Sequence, residues 1–151
     1  MSDKPFVKLD DHLCFTIYAC SRETMKLYRP LLEPHGLTFP QYLVLVALFE
    51  LGECTVKSLG ERLYLDSGTL TPLLKRMQES GLVHRRRAED DERKVYVSLT
   101  ESGKSLRQRV ADVPECVLSR VQNLAISDVE RLLTDIRALL GKIHAATQVD
   151  G

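Results

Sequence analysis

The sequence predicts a mainly α fold with a small β component: a winged helix-turn-helix with long N- and C-terminal helices for dimerisation. Three observations predict it. Within 56–100, two apolar-periodic helical stretches flank a tight turn, and the second is studded with hydroxyls and cations. A charged hairpin pattern follows, with Arg85, Arg86 and Arg87 on one strand and Arg93 and Lys94 opening the other. Long helical periodicities lie on both sides.

Taken in order, the first helix is predicted over about 10–32, where Leu13, Ile17, Cys20, Thr24, Leu27 and Leu31 recur at helical spacing. Pro34 and Gly36 end it. Thr38-Phe39-Pro40-Gln41 has the form of a capping box with proline in the first turn. It opens a second helix, QYLVLVALFE, apolar nearly all round and therefore expected at the centre of the core. Thr55 is expected to cap the third helix, with Val56, Leu59 and Leu63 facing inward. In the fourth, Leu70, Leu73, Leu74 and Met77 form the buried stripe and Gly81 supplies the C-terminal cap. Pro72 removes a backbone donor and predicts an irregular first turn there. Two strands are predicted at 82–87 and 94–99. The fifth helix carries Leu106, Val110, Val113, Val117 and Val121, kinked at Pro114. The sixth starts at Ser127, with Glu130 completing a capping box, and runs through Leu132, Leu133, Ile136, Leu140 and Ile143.

These elements predict one domain over 1–151, with the winged helix-turn-helix at about 40–100 and dimerisation helices at about 8–35 and 101–146. The terminal helices contain more apolar surface than one small winged domain covers, so a homodimer is expected. A chain 44% hydrophobic and 28% charged is globular rather than disordered. No apolar run approaches the ~20 residues of a membrane span, and MSDKPFVKLDD lacks the layout of a signal peptide. A cytoplasmic location is expected, where thiols stay reduced, with no membrane partner.

The net charge is zero, but local density drives phosphate binding. Lys75, Arg76, Arg85, Arg86, Arg87, Arg93 and Lys94 cluster, interrupted by Glu89, Asp90, Asp91 and Glu92 at the hairpin tip. A charge run by itself is a solvated loop; directly after a helix-turn-helix it points to double-stranded DNA. On the fourth helix the face opposite the leucines carries Ser67, Thr69, Thr71, Lys75, Arg76 and Gln78. Short hydroxyls near the helix start reach bases or phosphates, or act as helix caps, and glutamine can pair with adenine. Arg93 suits a narrow minor groove, or an ion pair with Asp91. Cysteines 14, 20, 54 and 116 make no C-x-x-C pair, and histidines 12, 35, 84 and 144 no i, i+4 pair, so no metal site is expected. No cofactor or catalytic residue is expected either. Cys20 and Cys54 read as small buried hydrophobes.

Asp10-Asp-His-Leu-Cys-Phe-Thr-Ile-Tyr18, Lys26-Leu-Tyr-Arg-Pro-Leu-Leu32 and Gly36-Leu-Thr-Phe-Pro-Gln-Tyr-Leu-Val44 resemble the organic hydroperoxide resistance regulators, a branch of the MarR family of winged-helix repressors. Leu63-Tyr-Leu-Asp-Ser-Gly-Thr-Leu-Thr-Pro-Leu-Leu-Lys-Arg76 and Asp91-Glu-Arg93 resemble the same group, so the likeness covers nearly the whole chain. It implies DNA contacts at Arg86, Asp91 and Arg93 beside those of the fourth helix. It also implies a peroxide switch: an organic hydroperoxide oxidises Cys14 to a sulfenic acid, a thiol condenses with it, and the dimer releases a near-palindromic operator. Tyr18 and Tyr28 fall where family tyrosines donate hydrogen bonds toward the reactive sulfur.

Two positions depart from the family pattern. Phe39 replaces a tyrosine in the same pocket. Ser119 stands where two-cysteine members carry a resolving cysteine, leaving Cys116, a turn earlier, or a low-molecular-weight thiol to resolve Cys14. Competing readings are a repressor released by a small phenolic ligand, a thiol peroxidase, and an architectural DNA-binding protein.

Overall fold

The computed structural model describes residues 3–149. A 3-10 turn, Leu9–Asp11, precedes helix α1, Leu13–Leu32. The α-helix therefore begins later than residue 10, where His12 Nδ1 accepts the Phe15 N–H at 3.3 Å. After α1 the chain makes a 3-10 turn, Glu33–His35, and reverses through Gly36 at φ +68°. Helix α2, Phe39–Leu51, opens on the expected capping box: Thr38 Oγ1 accepts the Gln41 N–H, and Gln41 Oε1 accepts the Thr38 N–H. Its Tyr42, Val44, Leu45, Ala47 and Leu48 are buried, which makes it the central helix of the core.

Strand β1, Cys54–Thr55, is an element the sequence reading missed. Two residues are too few to show an alternation, and Thr55 also serves as the cap expected of it, accepting the Ser58 N–H at 3.0 Å. Helix α3, Val56–Leu63, buries Leu59 fully and Val56 and Leu63 partly. The helix-turn-helix corner follows. Tyr64 adopts φ +57°, and Leu65 N–H returns to the Gly60 carbonyl at 2.9 Å. A Cβ on Gly60 would lie 2.7 Å from the Leu65 carbonyl oxygen, so the corner closes only over a glycine.

Helix α4, Ser67–Glu79, buries Leu70, Leu73, Leu74 and Met77 as expected. Pro72 does not disturb its first turn: the helix is continuous from Ser67, because the lost donor sits where only one intrahelical bond is forgone. Gly81, at φ +75°, closes the helix: its N–H donates to Gln78 O, and Leu82 N–H donates to Met77 O.

Strands β2, Val83–Arg87, and β3, Val95–Leu99, form the wing, in register from Val83 opposite Leu99 to Arg87 opposite Val95. The antiparallel sheet has the order β1-β3-β2. Val44, Leu45, Leu59, Leu70, Leu74, Met77 and Val97 are wholly inaccessible, so α2, α3, α4 and β3 share one core. Thr100 ties that core to the next helix: its hydroxyl donates to the Gly81 carbonyl at 2.6 Å and accepts the Gly103 N–H at 3.0 Å.

The expected fifth helix is two. Helix α5, Glu101–Arg109, ends before Pro114, and α6, Val113–Ser119, begins just ahead of it. Proline at the second position of a helix needs no partner for its missing donor, so it starts α6 instead of kinking a longer helix. Helix α7, Ile126–Val149, starts one residue earlier than expected. Asp128, rather than Glu130, makes the reciprocal bond, accepting the Ala125 N–H at 3.0 Å. The chain groups into two compact units, 1–114 and 115–151. In the first, α1 exposes Leu13 and Ile17; in the second, α7 exposes Leu132, Leu133, Ile136, Leu140 and Ile143. No described helix is long and apolar enough to cross a membrane.

Candidate nucleic-acid interface and redox site

Helix α4 presents Ser67, Thr69, Thr71, Lys75, Arg76 and Gln78 together on its exposed face. The cap of this helix is Asp66, whose Oδ1 accepts the Thr69 N–H at 2.8 Å. Neither Ser67 nor Thr69 caps the helix, which answers one alternative left open by the sequence. The hydroxyls stand at the helix N-terminus, where backbone donors and the helix dipole favour phosphate.

The wing arginines differ in their engagement. Arg85 Nε donates to Gln78 Oε1 at 2.8 Å, joining β2 to the last turn of α4. Arg86 is held from two sides. Its Nη2 donates to Glu53 Oε1 at 2.8 Å, and its guanidinium lies 4.6 Å over the Tyr96 ring. The hydrogen bond and charge of Glu53 raise the Arg86 pKa further above its ordinary value. Arg87 and Arg93 are exposed. Asp91 meets Arg93 through the backbone, its Oδ1 accepting the Arg93 N–H at 3.0 Å, and so shapes the wing tip. The alternative reading of Arg93, an ion pair with Asp91 through the guanidinium, is not the contact formed between them.

Cys14, the second residue of α1, is exposed. Tyr18 lies one turn on, on the same helical face, 60% exposed, with the Arg22 guanidinium 5.6 Å over its ring. Tyr28 and Phe39 are not beside them. Tyr28 stands fourteen residues along the continuous α1, about 21 Å up the axis at 1.5 Å per residue. It packs edge-on against Phe39, ring centroids 4.7 Å apart, with Tyr42 at 5.9 Å from Tyr28. Burial raises the pKa of both Tyr28 and Tyr42. The four-residue pocket expected around Cys14 therefore does not assemble within one chain.

Tyr42, the third ring of the cluster, was missed by sequence reasoning; its spacing of three from Phe39 on α2 is the signal that places it there. Glu53 was missed as well, and nothing local marks it, since its partner Arg86 is thirty-three residues away.

Cys20 is exposed rather than buried, because its face of α1 is not covered by the described chain. Cys54 is half-buried; burial first and the Glu53 charge second push its pKa up, away from a reactive thiolate. Cys116, half-buried in α6, belongs to the second unit. The Ser119 hydroxyl donates to its carbonyl at 2.7 Å.

A helix-turn-helix with a hydroxyl- and cation-bearing outer face, followed by a basic hairpin, defines a winged-helix DNA-binding transcriptional regulator. The transcriptional regulator SarA/Rot family matches residues 26–110. The organic hydroperoxide resistance transcriptional regulator of Bacillus subtilis is 47% identical over 138 residues, covering 91% of this chain and 93% of that protein. The regulator TtmR of Methylorubrum extorquens is 42% identical, covering 91% and 70%. Among solved structures, reduced AbfR bound to DNA superposes with TM-score 0.72 at 33% identity, covering 89% of this chain and 93% of that one. A MarR mutant of E. coli complexed with operator DNA gives 0.74 at 26%, covering 85% and 93%. The chain belongs to the MarR-type winged-helix transcriptional regulators, in the group of the SarA/Rot and organic hydroperoxide resistance regulators. Its relatives and structural neighbours are regulators, not enzymes, and it is a regulator too.

Proposed function

We propose that this protein is a homodimeric repressor that senses organic hydroperoxides through Cys14 and releases a near-palindromic operator when that thiol is oxidised. The observation that carries the reading is the exposure of Cys14 in the first turn of α1, in a chain whose relative at 47% identity is named for organic hydroperoxide resistance. The thiolate attacks the peroxide oxygen; the O–O bond breaks, the alcohol ROH leaves, and sulfur is oxidised to the sulfenic acid. A second thiol, from Cys116 or a small cellular thiol, displaces water to give a disulfide.

The dimer is supported by the same geometry. Tyr28 is about 21 Å from Cys14 along α1, and Phe39 packs against Tyr28, so the two line the sulfur only if they come from a second copy. The apolar stripe exposed on α7 and the exposed Leu13 and Ile17 of α1 provide surface for that association. In each copy, α4 enters a major groove with Ser67, Thr69 and Thr71 near base edges and phosphates, and Lys75, Arg76 and Gln78 further along. Arg93 reaches the DNA from the wing tip, whose turn Asp91 shapes. Arg86 acts from within the wing, held by Glu53 and Tyr96, more than as a direct contact.

Intact-mass analysis after one equivalent of organic hydroperoxide, with and without added small thiol, tests the chemistry. A gain of one oxygen mapped to Cys14, converted by thiol to a disulfide, is expected. Oxidation mapped to other cysteines with Cys14 untouched rejects the proposal.

A further inference from the structure

We propose that Arg85 is a positioning residue for DNA binding, holding the Gln78 amide so that it meets the DNA backbone as a hydrogen-bond donor only. The inference rests on the reading of α4 as the recognition helix.

Gln78 is the next-to-last residue of the 13-residue α4, on the exposed face shared with Thr71 and Lys75. Its Oε1 accepts Arg85 Nε at 2.8 Å. Arg85 sits in β2 opposite Val97 and is half-buried, whereas Arg86 and Arg87 beside it are exposed. The oxygen and nitrogen of an amide lie on opposite sides of one carbon. Fixing the oxygen on the guanidinium turns the NH2 group away from it.

A glutamine that reads adenine uses both ends of its amide, accepting from N6 and donating to N7. Here one of the two lone pairs of the accepting oxygen is committed to a cation. Leaving it for a neutral amine exchanges a charge-assisted hydrogen bond for one roughly half as strong. What Gln78 directs away from the guanidinium is a pair of N–H donors. The guanidinium behind the carbonyl polarises the amide and strengthens those donors. In a helix-turn-helix the N-terminal residues of the second helix meet base edges. Gln78, at the opposite end, therefore donates to a phosphate oxygen, and it sets register rather than sequence preference.

The test is a double-mutant cycle of Arg85→Ala and Gln78→Ala, read by anisotropy on a duplex selected from a random pool by the wild-type protein. It is joined by NMR of the Gln78 side-chain amide in the free protein. Each single change should weaken binding by about tenfold, as expected for one charge-assisted contact, and the double change no more than the worse single. Gln78→Ala should cost the same on duplexes with altered bases, and Arg85→Ala should shift the Gln78 amide resonances. Additive losses, a base-dependent Gln78→Ala effect or unmoved resonances each overturn the inference alone. Failure of the wild-type protein to select or bind any duplex overturns the recognition-helix reading with it.

Discussion

At Cys14 the first turn of α1 leaves a thiol open to solvent, with Tyr18 one turn away. Phe39, edge-on to Tyr28, lacks the hydroxyl that the family tyrosine would carry. If residue 39 of a second copy faces the sulfur, Phe39→Tyr adds one donor toward the thiolate and hastens its oxidation. The gain should be modest, since a hydrogen bond to a charged group contributes ~1.5–3 kcal/mol at most. Stopped-flow peroxide consumption checks this, and an unchanged rate removes residue 39 from the site. Cys54 is a contrasting thiol. Burial and then the Glu53 charge raise its pKa, so Glu53→Gln should lower it again, the charged form having lost a repulsive neighbour. The pH profile of alkylation at Cys54 should move toward lower pH; a shift upward would contradict the assignment of that cause.

Two side-chain links hold the wing, Arg85 to Gln78 of α4 and Arg86 to Glu53 just before β1. Arg93→Ala should weaken DNA binding and reduce its salt dependence by about one charge, as loss of a phosphate or minor-groove cation does. Titrations at several salt concentrations decide it, and an unchanged slope would mean Arg93 stays in solvent. Glu53→Gln should cost little stability, since the pair is exposed to solvent. It should nevertheless weaken binding, because Arg86 then loses the partner that holds it over Tyr96; equal affinity would show that the link has no bearing on the wing's placement. These elements were largely legible in the sequence. Thr38 and Gln41, the Leu70–Met77 stripe and Gly81 are local signals, and local signals fix caps, faces and helix ends. What was not legible depends on partners distant in the chain or on backbone continuity. β1 exists only because β3 pairs with it, and Asp66 displaced Ser67 as the cap by one residue. The break at residues 110–112 turned a kinked helix into two.

At the scale of the molecule, the proposed redox site cannot be read from one chain, since a continuous α1 keeps Tyr28 far from Cys14. That separation was readable from helical spacing once the helix was known to be unbroken, and under the proposed function it calls for a second copy to complete the site. Replacing Leu132 and Ile136 on α7 by aspartate should dissociate the dimer and abolish operator binding together, as sedimentation and anisotropy would show; a stable dimer would place its interface elsewhere. Footprinting should reveal two half-sites about 10–10.5 bp apart, as two-fold symmetry dictates for paired recognition helices. The most direct test of the switch is operator-duplex anisotropy during stepwise addition of an organic hydroperoxide to wild-type and Cys14→Ser protein. Both should bind equally before oxidant, and only the wild type should release the duplex, at about one equivalent per chain. Release of the Cys14→Ser protein at the same peroxide concentration would contradict the account.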